Sequence, residues 1–294
     1  MDEAALAEAI KTGHVAGVAL DVFEVEPATD SPLFGLENVV CTPHLGAATA
    51  EAQENVALQV AEQMSDFLLT GAITNAINMA SVSAEDAPRI KPYLELCRGL
   101  GSFAGQLTQA REGMITRVTF EYEGQAATLN TRPLSAAILA GLMSPLMVGV
   151  NMVNAPVIAR EHGIEIAETV HDRPSEYQTL VRLTVETPGL VRSVAGTLFA
   201  GSRPRIVEIK GIRVEADFAP HMLYVTNQDK PGFIGRFGAT LAGAGINIAT
   251  FHLGRAEQGG DAICLVSVDE PVPEEVLAMV RTLPLVMQAT ALAF

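Results

Sequence analysis

Two short stretches carry the residue types that acid/base chemistry needs. "LDVFEVEP" places Asp21 at the end of an apolar run with Glu26 just beyond it, and "TPHLGAAT" places His44 directly after Val39-Val40-Cys41. A carboxylate that touches an imidazole stabilises the imidazolium and raises its pKa, which suits a proton relay near neutral pH. The same residues also read as an ordinary loop histidine beside a proline, and type and spacing leave both readings open.

For the pair to meet, both residues must reach one edge of a sheet. "VAGVALDVF" and "NVVCTPH" are short, almost continuous apolar runs, which predict parallel strands covered on both faces. Ligands of open parallel sheets bind beyond the carboxyl ends of the strands, so Glu26 and His44 are expected at that edge. Residues 2–11 predict a helix, with Asp2 and Glu3 in the first turn, Leu6 and Ile10 at i, i+4 and Gly13 as its stop. "TAEAQENVALQVAEQMSDFLLTG" predicts a long helix capped by Thr49, with Val56, Val60, Met64, Phe67 and Leu68 on one face and Gly71 at its end. Strand, loop, strand, helix is α/β grammar.

Residues 79–92 read as a linker running into a helix that reaches about residue 108. "TRVTFEYEG" alternates like a half-exposed strand. No charge occurs between Arg132 and Arg160, a length that would span a bilayer. Pro145, Asn151, Asn154 and Pro156 interrupt it, so a buried helical pair is expected and a membrane segment is not. "YQTLVRLTVET", "SVAGTLFA" and "RIVEIKGIRVEAD" predict three more strands, making an α+β unit. From "HMLYVTNQ" to "VMQATALAF" the order is βαββαβ, the ferredoxin-like motif.

Charge divides the chain in the same way. Residues 1–80 hold 12 acidic residues against one basic residue, Lys11, a net of −11; residues 81–220 hold 15 against 14; residues 221–294 hold 7 against 4. Domains at 1–80, 81–220 and 221–294 are expected. A net charge of −15 and the lack of tryptophan argue against a nucleic-acid partner. The three cysteines, Cys41, Cys97 and Cys264, have no metal-site spacing, so no metal is expected; reduced thiols suit a cytoplasmic protein. The acidic N-terminus does not read as a signal peptide.

Two further groups suggest ligands. In "DKPGF" Asp229 precedes a helix that begins near Pro231, Gly232 permits close backbone approach, and the helix N-terminus favours a carboxylate. Asp229 would hold an α-ammonium and Asn247 would both donate and accept, a set that suits an amino acid; turn and cap roles fit the same residues. Arg203, Arg205, Lys210 and Arg213 form a basic strand region, either a solvated face or an anion site.

"GVALDVFEVEP" followed by "ENVVCTPHLGAATAEAQENVALQVAEQ" resembles the C-terminal end of the nucleotide-binding domain of D-isomer-specific 2-hydroxyacid dehydrogenases. "VNMVNAPVIAREHGI", "GTLFAGSRPRIVEIKGIRVE" and "NQDKPGFIGRFGATLAGAGINIATFHLGR" narrow the resemblance to the phosphoglycerate dehydrogenase family, in the long form with an intervening domain and a C-terminal ACT domain. The resemblance implies a remnant of a Rossmann-type domain, an α+β intervening domain and a ferredoxin-like ACT domain. By it, His44 is the acid/base that takes the hydroxyl proton of 3-phosphoglycerate, and Glu26 pairs with it. Asp21 contacts the nicotinamide carboxamide, and His44, Leu45, Gly46 and Ala47 line the nicotinamide side of an NAD site. Hydride transfer to NAD gives 3-phosphohydroxypyruvate, on the way to serine. L-Serine as effector would bind between two ACT domains at Asn227, Asp229 and Asn247 of a homo-oligomer, and Arg203, Arg205 and Arg213 fall near an anion site of some relatives.

The family pattern needs more than these residues supply. No G-x-G-x-x-G opens a β–turn–α unit, and residues 1–80 offer a single lysine to three anionic groups of substrate and cofactor. The chain is therefore expected to be the C-terminal part of a longer enzyme, with residues 1–80 poorly packed or paired with another copy. Two functions follow: an NAD-dependent oxidoreductase, or a serine-binding, oligomerising regulatory unit without catalysis of its own.

Overall fold

The computed structural model describes residues 1–109, 114–171 and 176–294. They form two compact units, Met1–Leu69 and Thr70–Phe294.

The first unit opens with α1 (Glu3–Lys11), where the Asp2 side chain accepts the Ala5 N–H at 2.9 Å as N-cap. Strands β1 (Val18–Leu20) and β2 (Val39–Cys41) pair in parallel, Val18 opposite Val39. The parallel pairing agrees with the expectation, but burial on both faces does not. Val40 is 65% exposed, and the only core of this unit gathers Ala7, Ile10, Leu20 and Leu33 on one side of the two strands. Helix α2 (Ala50–Thr70) starts at Thr49, whose hydroxyl accepts the Ala52 N–H, and none of its residues is buried. Val56, Val60, Met64, Phe67 and Leu68 are exposed.

The second unit contains two sheets. Helix α3 (Ala87–Gln109) leads to β3 (Arg117–Gly124), then α4 (Thr131–Met143), α5 (Ala155–Glu161) and β4 (Glu165–His171), which returns parallel to β3. Strands β5 (Thr179–Thr187), β6 (Leu190–Phe199), β7 (Arg203–Ile209) and β8 (Ile212–Asp217) complete a six-stranded sheet of order β4-β3-β5-β6-β7-β8. The uncharged stretch supplies α4, almost wholly buried, and the short α5; among the described residues no helix is long and apolar enough to cross a membrane. Two details differ from the sequence reading. "RIVEIKGIRVEAD" is two strands, because Lys210 and Gly211 both have positive φ (51° and 76°) and form the two-residue turn of a hairpin. Strand β4 was not foreseen; it is an edge strand with no buried residue and hence no buried period.

The remaining elements are β9 (His221–Gln228), α6 (Phe233–Gly243), β10 (Ile248–Arg255), β11 (Asp261–Val268), α7 (Glu274–Arg281) and β12 (Val286–Ala293). The antiparallel order β10-β11-β9-β12 is the ferredoxin-like arrangement. Alternation along the strands gives this sheet two apolar faces. Leu223, Val225, Cys264 and Val266 pack with Phe233, Phe237 and Val280 of the helices; Met222, Tyr224, Ile263, Leu265 and Leu292 join the core of α3 and α4.

Helices α3 and α4 meet at glycines. A Cβ on Gly101 would lie 2.2 Å from the Ile138 carbonyl oxygen, and one on Gly141 2.3 Å from that of Arg98, whereas one on Gly235 of α6 meets nothing within 4 Å. Gly101→Ala is expected to destabilise the second unit by about 1–3 kcal/mol by forcing the helices apart. Gly235→Ala should instead stabilise by up to ~1 kcal/mol; thermal melts of both variants check the contrast. Hydrogen exchange should also find amides 18–20 opening before those of Val181–Val185, and equal protection would contradict the small core of the first unit.

Candidate active site

The turn after β2 determines where His44 goes. Thr42 continues the ladder, its N–H donating to the Leu20 carbonyl at 2.9 Å, and its hydroxyl donates to Asp21 Oδ1 at 2.6 Å. The N–H groups of Leu45 and Gly46 donate to Asp21 Oδ1 and Oδ2 at 2.6 and 2.7 Å. Between these anchors His44 adopts φ 55°, a left-handed conformation uncommon outside glycine. The Asp21 carboxylate is thus a clamp on residues 42–46. Its pKa is lowered, first by the Thr42 hydroxyl and then by the Leu45 N–H.

Held this way, His44 presents Nδ1 to Glu26 Oε2 at 2.6 Å, and Glu26 Oε1 accepts the Phe23 N–H at 3.0 Å. The ring nitrogen Nε2 is left for chemistry. His44 and Glu26 line a cavity of about 510 Å³ with Phe23, Phe34, Cys41 and Thr42, and the His44 side chain is 59% exposed. Hydrogen bonding to Glu26 raises the His44 pKa from its ordinary 6.5, and the same contact lowers that of Glu26 from 4.5. The raised histidine contributes stability that is complete below 6.5 and is lost as pH rises through its folded value. The lowered carboxylate contributes above 4.5 and loses this as pH falls through its own folded value.

The structure therefore brings Asp21, Glu26, His44, Leu45 and Gly46 together, with Ala47 next in the chain. The sequence reading missed Thr42 as a ligand of Asp21 and Glu3 as a ligand of the loop. Glu3 Oε1 accepts the Glu24 N–H at 2.7 Å and Oε2 the Ser31 hydroxyl at 2.6 Å. Both contacts join residues more than 20 positions apart, which no local pattern marks.

The proposed effector residues do not converge within one chain. Asn227 is 2% exposed; its amide donates to the Gln228 carbonyl at 2.9 Å and its oxygen accepts the Cys264 thiol at 3.6 Å. Asp229 accepts the Gly259 N–H at 3.1 Å and Arg255 at 2.9 Å, which lower its pKa in that order. Asn227 pairs with Ala262 at one end of β11, while Asn247 donates to Asp269 at 2.8 Å beyond the other end. Strand rise separates them by roughly 20 Å.

The basic residues of the intervening segment are spread along the β7–β8 hairpin. The guanidinium carbons of Arg203 and Arg205 each lie 5.1 Å from the centre of the Phe199 ring. Arg205 pairs with Asp217 at 2.7 Å, Arg213 pairs with Glu176 at 2.6 Å, and Lys210 forms the turn. Among the described residues one group of potential metal ligands comes together, Glu121, Glu123 and His171, within 4.8 Å of one another, and Arg182 lies 3.9 Å from Glu121.

Comparison with known proteins follows this division. The NAD binding domain of D-isomer specific 2-hydroxyacid dehydrogenases matches residues 1–46, the D-3-phosphoglycerate dehydrogenase intervening domain residues 89–210, and the ACT domain residues 221–284. D-3-phosphoglycerate dehydrogenases of Bacillus subtilis and Methanocaldococcus jannaschii are 39% and 38% identical over 97% of this chain, covering 54% and 53% of those proteins. That of Mycobacterium tuberculosis is 36% identical over 94% of the chain and 52% of its own length. Segment by segment, the chain is similar to D-3-phosphoglycerate dehydrogenases. It spans about half the length of the curated relatives it matches. Asp21, Glu26 and His44 all fall within the NAD-domain match, and Asn227, Asp229 and Asn247 within the ACT match.

NMR titration of the His44 ring checks the electrostatics directly. Its midpoint is expected above 6.5 and should fall in Glu26→Gln. An unchanged midpoint in that variant would show that the 2.6 Å contact does not form in solution.

Proposed function

We propose that the first unit is the acid/base corner of an NAD-dependent oxidoreductase that converts 3-phosphoglycerate to 3-phosphohydroxypyruvate. The observation that carries this reading is the His44–Glu26 contact at the wall of a cavity, inside the segment that matches a dehydrogenase NAD domain. In the oxidation direction neutral His44 accepts the substrate hydroxyl proton at Nε2, and Glu26 stabilises the imidazolium that forms. NAD supplies a hydride acceptor.

The residues present fit the nicotinamide end of such a cofactor. Three of the roughly four acceptor positions of the Asp21 carboxylate are taken by the loop, which leaves one for a carboxamide N–H. They do not fit the pyrophosphate, since Lys11 is the sole lysine or arginine of residues 1–80. On this reading the cations for the pyrophosphate and for the substrate carboxylate and phosphate must come from residues other than 1–80. The division at 1–80, 81–220 and 221–294 and a cytoplasmic location are part of the same reading.

A second reading rests on a different observation. Asn227 and Asp229 lie at the opposite end of β11 from Asn247, so one chain cannot close a single small ligand with all three. Two ACT domains set side by side in opposite directions would bring one end of each together, giving two sites per pair. L-Serine is the proposed ligand and a homo-oligomer the proposed assembly. The basic hairpin with Arg203, Arg205 and Arg213 remains the place where an anion would bind, by exchange with Asp217 and Glu176.

The purified chain is expected to bind L-serine by calorimetry and to show no NADH oxidation with 3-phosphohydroxypyruvate. Fused to the remaining half of the Bacillus subtilis relative, it should turn over, and His44→Ala should lower kcat by about 10²–10⁴. Oxidation of 3-phosphoglycerate should rise with pH through the raised His44 midpoint, because the base must be neutral. A fusion that turns over equally well with His44→Ala would overturn the catalytic reading.

A further inference from the structure

We propose that Glu3, the first residue of α1, is a positioning residue for the His44–Glu26 pair: its carboxylate fixes the loop that carries Glu26 and so fixes Glu26 on the imidazole. This rests on the reading of His44 as the acid/base. Both carboxylate oxygens of Glu3 are used, Oε1 by the Glu24 N–H at 2.7 Å and Oε2 by the Ser31 hydroxyl at 2.6 Å. The two contacts lie on either side of Glu26 in the chain, so they hold the loop before and after it.

The anchor is itself held by packing. Helix α1 buries Ala7 and Ile10 in the core that contains Leu20 and Leu33. Ser31 is buried, and its oxygen also accepts the Leu33 N–H at 3.3 Å. A glutamate in the first turn of a helix often serves only the helix, by its charge near the free N–H groups. Here Asp2 supplies the side-chain cap, and the Glu3 carboxylate is turned away to the loop.

Glu3 reaches His44 only through Glu26. The charged groups acting on His44 are Glu26 and Asp21, and Cys41 is the further titratable group lining the cavity. The two hydrogen bonds lower the pKa of Glu3, the Ser31 hydroxyl more than the Glu24 N–H, so the carboxylate stays an acceptor through the range in which His44 titrates. Freed of Glu3, the loop keeps the Glu26–Phe23 contact but loses its tie to α1.

The test follows the His44 ring by NMR titration in the full chain. Glu3→Ala should move the His44 midpoint down, towards that of Glu26→Gln. Glu3→Gln should restore it, because its amide oxygen still accepts from the Glu24 N–H and its NH₂ donates to Ser31 Oγ. Glu3→Ala added to Glu26→Gln should produce no further shift. The proposal is overturned by an unshifted Glu3→Ala, by a Glu3→Gln that behaves as Glu3→Ala, or by a Glu3 effect that persists without Glu26. Should Glu3→Ala unfold the first unit, Ser31→Ala removes one of the two contacts and must give a smaller shift of the same sign. The readout is a proton equilibrium, so it stands even where the chain shows no turnover. Turnover with an unshifted titration would sink the role of Glu3 alone.

Discussion

Two backbone N–H groups and one hydroxyl converge on the Asp21 carboxylate, and the site depends on that convergence. A histidine in the left-handed region is strained unless its neighbours hold it, and here the N–H groups of Leu45 and Gly46 are anchored immediately after it and the Thr42 hydroxyl just before it. The anchor sits at the end of β1 and the loop at the end of β2, so parallel pairing of Val18–Leu20 with Val39–Cys41 is what brings them within reach. Glu26 then needs only the right loop register to meet Nδ1. Pairing sets the clamp, the clamp sets the backbone of His44, and the backbone aims the ring.

The charge of the first unit limits what this geometry can do alone. An imidazole raised by Glu26, with Asp21 beside it, handles a proton well, but a substrate with a carboxylate and a phosphate needs cations that Lys11 alone does not provide. On the proposed reading, the acid/base function and the anion-binding function therefore fall to different parts of the polypeptide. This separation explains why the pair is complete here while the rest of the proposed chemistry requires other residues.

Much of this was legible because it rests on short-range pattern. Two nearly continuous apolar runs marked β1 and β2, and strand ends marked where Glu26 and His44 would lie. The same pattern overstated burial, since an apolar run reports what a strand can bury and not what is present to cover it; Val40 and the apolar residues of α2 remain exposed. Strand β4 was invisible because every position on it is at least partly exposed, and the hairpin turn at Lys210-Gly211 was hidden by apolar alternation on both sides of it. Thr42, Glu3 and the separation of Asn227 from Asn247 were beyond sequence reasoning. Thr42 and the two asparagines depend on which strand ends meet, and Glu3 on how α1 packs beside the loop after β1.

In the second unit the four-stranded sheet is covered on both faces, which ties any effector site to the intervening segment. Tyr224 of β9 packs edge-on against Phe103 of α3 at 5.7 Å, and the Gln106 side chain both donates to the Ala293 carbonyl, at 2.8 Å, and accepts its N–H, at 2.9 Å. Asn227, three residues beyond Tyr224 on β9, is held by the Cys264 thiol of β11 rather than by solvent. A ligand that drew Asn227 outward would therefore disturb the pairing of β9 with β11 as well as its own side chain. Close packing leaves such a sheet little room to deform by itself. Tyr224 joins this sheet to α3, and α3 meets α4 where Gly101 and Gly141 bring the two backbones into contact. The same close approach that makes Gly101 intolerant of a methyl group joins the packing of α3 to that of α4, so the sheet and the intervening helices share one set of contacts.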